Sequence, residues 1–213
     1  MDSPDPRLTM ADAFLMAGEL ADALEALDSY LSEQPDDGDI RRLRAAVLLR
    51  LPGDDTAWAA LDDLAAMRVR TAEDEIARVR ALRRLGEDTA AHEVLFDAFE
   101  RTGDLRLADL LLASLHQRGE VDPALDVLEI LPETTVWLRW RGEFALLADD
   151  PAAAVAAFNA ALARLAAIPE TDVIRNERGQ LLLRRADAWQ RSGDERAALH
   201  DRDEARRLLP AER

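Results

Sequence analysis

The sequence predicts an all-α fold, a solenoid of about six antiparallel helix pairs, and three observations carry that expectation. A turn signature recurs, as Gly86-Glu87-Asp88-Thr89-Ala90-Ala91 and Gly193-Asp194-Glu195-Arg196-Ala197-Ala198, with looser copies beginning at Gly18, Gly119 and Asp149 and a variant at Pro52-Gly53. Most copies lie roughly 34 residues apart, the length of a helix-turn-helix unit that buries its apolar face only by stacking on a neighbour. Each copy sits between stretches whose apolar residues recur at helical spacing. The composition agrees: 48% apolar but only 5% aromatic, dominated by Ala, Leu, Arg, Asp and Glu, which favours helix over strand.

In the first pair Leu8, Ala11, Phe14 and Leu15 share one face, and after Gly18 the second helix carries Ala23, Leu24, Leu27, Tyr30 and Leu31 before Pro35 closes it. The second pair runs through Leu43, Val47 and Leu48, turns one residue shorter at Pro52-Gly53, and continues through Trp58, Leu61 and Leu64. Ile76, Val79 and Leu82 precede Gly86 in the third, and Ala91, Leu95, Ala98 and Phe99 follow. The fourth holds Leu107, Leu111, Leu112 and Leu115, then Ala124, Leu125 and Leu128, where Pro132 is expected to cut its second helix short and bend the array. The fifth opens near Thr135 with Trp137, Leu138, Trp140 and Phe144, followed by an alanine-rich helix from Ala152 to Ala167. A longer helix through Ile174, Leu181, Leu182, Ala186 and Trp189 leads to Gly193, and the last helix ends at Pro210. The expected organisation is a tail over 1–7, one repeat domain over 8–210 and a tail over 211–213.

These residues resemble the tetratricopeptide repeat family. The likeness rests on a small residue in each first helix (Ala11, Ala45, Val79, Gly142, Ala186) and an aromatic or leucine three further on (Phe14, Leu48, Leu82, Trp189). It extends to the pairs Ala23/Leu27, Ala57/Leu61, Ala91/Leu95, Ala124/Leu128 and Ala154/Phe158 in the second helices. The pattern departs at Ala145 and Leu115, where an aromatic is usual, and at Arg202, which marks the last pair as terminal. The resemblance implies a right-handed superhelix whose first helices line a concave groove, with binding rather than catalysis as its task.

Composition narrows the partners. A net charge of −16 repels a phosphate backbone and argues against nucleic acid. Cysteine is absent, which removes disulfides, thiolate metal sites and a cysteine nucleophile. The acidic, proline-broken start Met1-Asp2-Ser3-Pro4-Asp5-Pro6 lacks a signal-peptide pattern, and the longest uncharged run, Pro151 to Ala163, is too short to span a bilayer. A cytoplasmic location without membrane insertion is therefore expected.

No catalytic residue, metal site or cofactor is expected. His92, His116 and His200 fall in three different pairs, and Phe96 stands where a zinc-protease helix needs its second histidine. Asp36-Asp37-Gly38-Asp39 reads as a helix start, since Val47 occupies the closing position of a calcium loop. Without lysine there is no phosphate-cradling P-loop, and no Gly-x-Ser-x-Gly occurs.

All 27 basic residues are arginine. Carrying the family's inward positions across places Arg42, Arg50, Arg80, Arg83, Arg84, Arg106 and Arg139 in the groove, where they would accept an acidic or C-terminal carboxylate segment. The alternative is that they pair with Glu73, Asp74, Glu75, Asp109 and Glu143. Trp137 and Trp140 are either core or the edge of an apolar peptide pocket with Leu146 and Leu147. The expected function is a protein-interaction scaffold that holds a protein or peptide. The alternatives are a dedicated chaperone for a secreted or assembly client, with an apolar groove, and a self-associating building block.

Overall fold

The computed structural model describes residues 5–209 as twelve α-helices in six consecutive pairs, with no strand among the described residues. The first pair is α1 (Pro6–Ala17) and α2 (Leu20–Glu33), the second α3 (Gly38–Leu48) and α4 (Asp54–Ala66), and the third α5 (Ala72–Arg84) and α6 (Asp88–Thr102). Then follow α7 (Leu105–Arg118) with α8 (Val121–Ile130), α9 (Thr135–Leu147) with α10 (Pro151–Ala166), and α11 (Asp172–Arg191) with α12 (Glu195–Leu208). The expected tail 211–213, the closing Pro210 and residues 1–4 of the N-terminal tail lie outside the described residues.

The recurring signature builds the same turn in five of the pairs. Gly18, Gly86, Gly119 and Gly193 take positive φ of 70–86°, and Asp149 does so at 58°. The residue after each donates its N–H back to a carbonyl five earlier: Glu19 to Phe14 (2.9 Å), Glu87 to Leu82 (2.9 Å), Glu120 to Leu115 (3.0 Å), Asp150 to Ala145 (2.8 Å) and Asp194 to Trp189 (2.9 Å). This left-handed cap satisfies carbonyls that a helix end would otherwise leave unpaired. The accepting residue is the family's aromatic-or-leucine position, so Ala145 keeps the backbone half of that role without the side chain.

The chain divides into two compact units after Leu111, inside α7. In the first, each helix from α1 to α6 packs on the next, and α3 also touches α5. Ala11, Leu27 and Val47 form one core, and Ala45, Leu48, Ala60 and Leu64 the next. In the second unit α8 to α12 pack in succession, and α9 also touches α11. Leu138, Phe158, Ala161, Leu165 and Leu181 share its core. The repeat alanines Ala23, Ala57, Ala91, Ala124 and Ala154 are all at most 1% exposed, because a methyl is what two crossing helices leave room for.

Three local expectations are realised. Asp37 caps α3 by accepting from the N–H groups of Asp39 and Ile40, which makes the acidic run a helix start. The ten-residue α8 ends at Ile130, two residues before Pro132, and is the shortest of the twelve described helices. The twenty-residue α11 is the longest of them.

Candidate functional site

Within the second unit, the first helices of their pairs bound a cleft of about 300 Å3. The C-terminal part of α7 contributes His116; α9 contributes Arg139, Trp140 and Glu143. From α11 come Glu177, Gln180, Leu181 and Arg184, whose i, i+3, i+4, i+7 spacing puts them on one stripe of that helix. His116, Trp140 and Phe144 form an aromatic cluster, with ring centroids 5.6–5.9 Å apart. Phe144 is fully buried and anchors it, while Trp140 and His116 stay half-buried. The Arg139 guanidinium stands 5.6 Å from the Trp140 ring centroid, a cation–π arrangement that also holds the cation at the cleft. On the other side Arg184 Nε forms an ion pair with Glu143 Oε1 at 3.2 Å, joining α11 to α9. The site thus offers an aromatic floor between two guanidiniums, with the Glu143 and Glu177 carboxylates beside them.

The two tryptophans part company. Trp137 is 5% exposed and is core, whereas Trp140 lines the cleft. Leu146 is buried in the core and Leu147 is 41% exposed. Neither leucine lines the cleft with Trp140.

The arginines of the first unit divide as well. Arg42 grips the buried Asp74 through Nε (2.7 Å) and Nη2 (3.1 Å) and also bonds Asp39 (2.8 Å). Arg106 bonds Asp104 (2.8 Å) and Glu73. For these two, pairing with neighbouring carboxylates describes the geometry. The Arg42–Asp74 and Arg106–Glu73 bonds join successive first helices, α3 to α5 and α7 to α5. Arg84 turns to the preceding pair, donating to the Gly53 carbonyl and to Thr56 Oγ1. Arg50 and Arg80 are exposed and Arg83 half-buried, and none of the three has an ion pair among the described residues.

These pairs set the local electrostatics. Burial pushes the Asp74 carboxyl up, but the Arg42 fork and the Thr71 hydrogen bonds outweigh it and leave it below its ordinary value. The hydrogen bonds from the Arg106 side chain and backbone hold Asp104 down at about 2.

Sequence reasoning missed Arg184, Glu177 and His116. Counting from the repeat's small residue would have found the first: Arg184 stands two before Ala186, as Trp140 stands two before Gly142. His116 was set aside for want of a second ligand, although its role here is to stack. No group of three or more His, Asp or Glu able to hold a metal occurs among the described residues.

Comparison with known proteins agrees with this architecture. The tetratricopeptide repeat family matches residues 1–47. The C-terminal part of a TPR repeat-containing protein from Cytophaga hutchinsonii superposes with a TM-score of 0.66 at 17% identity, over 93% of this chain and 77% of that one. PilW, a type IV pilus biogenesis factor, gives 0.65 at 14% identity over 97% and 93%. YrrB, described as a TPR protein with an unusual peptide-binding site, gives 0.52 at 14% identity over 98% and 88%. No curated protein matches the chain in sequence.

Proposed function

We propose, on the premise that this chain is a tetratricopeptide-like repeat protein of six helix pairs, that it is a non-catalytic scaffold holding a peptide segment of a partner protein along its first helices. The cleft between α9 and α11 carries this reading. Trp140, half-exposed between Arg139 and Arg184, suits a segment that places an apolar side chain on the ring and a carboxylate against a guanidinium. Arg80 stands one residue past Val79, as Glu143 stands one past Gly142, so the same stripe of α5 offers a cation at the repeat position that Glu143 fills. The fold is one on which a peptide site has been described, in YrrB. No described helix is long and apolar enough to cross a membrane.

The test is capture of partners from native extract, with identified segments then titrated as peptides. Trp140→Ala and Arg184→Glu should each abolish capture, and Arg80→Glu/Arg83→Glu should weaken it. Binding that survives Trp140→Ala and Arg184→Glu unchanged would sink the cleft assignment. Raising the salt should loosen the complex, because exposed charge contacts are screened.

A second reading, a chaperone with an apolar site, is favoured by a recess of about 490 Å3 beside the short α8, where Leu125, Leu128, Phe144 and Ala153 meet. A stoichiometric client that stays bound at high salt and is lost on Leu125→Asp would select it.

A further inference from the structure

The buried carboxylates of this protein are matched to arginines in a consistent way, with one exception. Asp63, 3% exposed, takes Arg41 and Arg44, and Arg44 is shared with Asp28. Asp74 takes Arg42, which is shared with Asp39. Asp201 takes Arg185, with His200 Nδ1 3.7 Å from its Oδ1, and Glu143 takes Arg184. In each case positive charge is balanced locally or shared with a second acid.

Glu75 differs. It sits in the first turn of α5, 1% exposed, and binds three guanidiniums: Arg70 Nε at 3.0 Å, Arg78 Nη1 at 2.7 Å and Arg101 Nη2 at 2.6 Å. None of the three has a second carboxylate among the described residues. Arg70 comes from the connection into α5, Arg78 from one turn further along it, and Arg101 from the last turn of α6, so three separate segments converge on one point. A guanidinium carries five N–H donors, and Glu75 takes one from each. Arg78 Nε is buried with no acceptor at all, which shows that the carboxylate does not exhaust the donors gathered around it. The side chains of Arg70, Arg78 and Arg101 remain 31%, 24% and 50% exposed, so the cluster is open to solvent although its carboxylate is not. Glu73, the nearby acid on α5, is engaged by Arg106.

One negative charge against three positive leaves a surplus of two, held in planar forks on a buried pivot. We propose that Arg70, Arg78 and Arg101 form a binding site for a phosphate monoester group, with Glu75 setting the forks in place. Such a group brings about −1.5 to −2 charges and three acceptor oxygens, which matches the surplus and the spare donors. Guanidinium forks bind phosphate in two-point, charge-assisted fashion. A polyanion is disfavoured, since the net charge of −16 repels an extended phosphate backbone while a single compact group meets only the local field. The site lies in the first unit and does not depend on the cleft between α9 and α11.

Titration calorimetry of the full chain at low salt tests it, with inorganic phosphate, a phosphoserine peptide, its unphosphorylated form, acetate and a single-stranded oligonucleotide. Phosphate or the phosphopeptide should bind, and acetate and the unphosphorylated peptide should not. The phosphopeptide binding roughly tenfold tighter than free phosphate identifies a phosphorylated partner, and equal affinity identifies free phosphate. Arg101→Gln and Arg70→Gln, checked for an unchanged helical spectrum, should each weaken binding about tenfold, and Arg206→Gln should leave it unchanged. Arg101→Lys, which keeps the charge and loses the fork, should lie between wild type and Arg101→Gln, and serves if the glutamine variant fails to fold. Absence of phosphate binding, binding indifferent to Arg70 and Arg101, or binding of the oligonucleotide alone overturns the proposal.

Discussion

Arg185 and Asp201 form a two-point ion pair, Nε to Oδ2 and Nη2 to Oδ1 at 2.7 Å each, with Asp201 2% exposed at the α11–α12 contact. Arg185 also reaches back to Asn159 of α10 at 2.6 Å. Arg44 makes the same bridge in the second pair, forward to Asp63 of α4 and back to Asp28 of α2. Both arginines stand one residue before the small residue of their repeat, Ala186 and Ala45. Arg141, one before Gly142, reaches back to the Leu128 carbonyl at 3.1 Å. In these three pairs one repeat position links a first helix to the second helix before it, whereas Arg78, one before Val79, bonds Glu75 of its own helix.

Removing one partner of such a pair strands the other charge. Asp201→Ala should therefore cost about 3 kcal/mol in urea unfolding, while Arg185→Met/Asp201→Leu should recover most of that loss. A single variant no less stable than wild type contradicts the bridge.

Gly142 is a matter of space. A Cβ there would stand 2.5 Å from Phe158 Cε1, so α9 and α10 approach as closely as they do because the position is bare. In an open helix Gly→Ala gains about 1 kcal/mol, but here overpacking should reverse the sign and destabilise by about 1–3 kcal/mol. Phe158→Leu placed on Gly142→Ala should restore part of it, read as coupling in a double-mutant cycle.

Asp149 holds a left-handed backbone, φ 58°, that its counterparts give to glycine. Asp149→Gly should stabilise by about 0.5–1 kcal/mol, and Asp149→Val should destabilise, both seen in the thermal midpoint.

Acid should loosen the first unit. For Glu75, burial pushes the carboxyl up, and the Arg78 and Arg70 hydrogen bonds outweigh it and leave it below its ordinary 4.5; Asp74 likewise lies below 3.8. Groups depressed in the folded state contribute stability that is complete above about pH 5 and is lost as the pH falls through their folded values. Stability measured from pH 6 downward should hold to about 5 and then decline, and Asp74→Asn should flatten the decline. A rise on acidification would contradict the sign.

Helix content and pairing were legible because they depend on short-range pattern: Gly-x-x-x-x-Ala marks the turn, and Ala23, Ala91 and Ala154 mark the crossing that follows it. The cleft was only half legible. Trp137 and Trp140 lie three apart on α9, and spacing alone cannot tell which one meets a neighbouring helix, because about 60° of helix rotation separates the two. Arg42 and Arg106 stood on the expected helices, and Asp74 and Glu73 were among the acids offered for them, but the pairs span 32 and 33 residues and no local pattern selects them over the groove. Asp63 and Asp201 were hidden for the converse reason: in a chain with 43 acidic residues a buried carboxylate looks like any other.

The five-residue return from Glu19 to Phe14, repeated down to Asp194 and Trp189, has a consequence for assembly. Each hairpin closes on bonds contained within itself, so the entropy of joining distant segments is met in small instalments along the array. A chain built this way tolerates gain or loss of a whole pair as a unit, and an insertion of a few residues inside a turn disturbs it most.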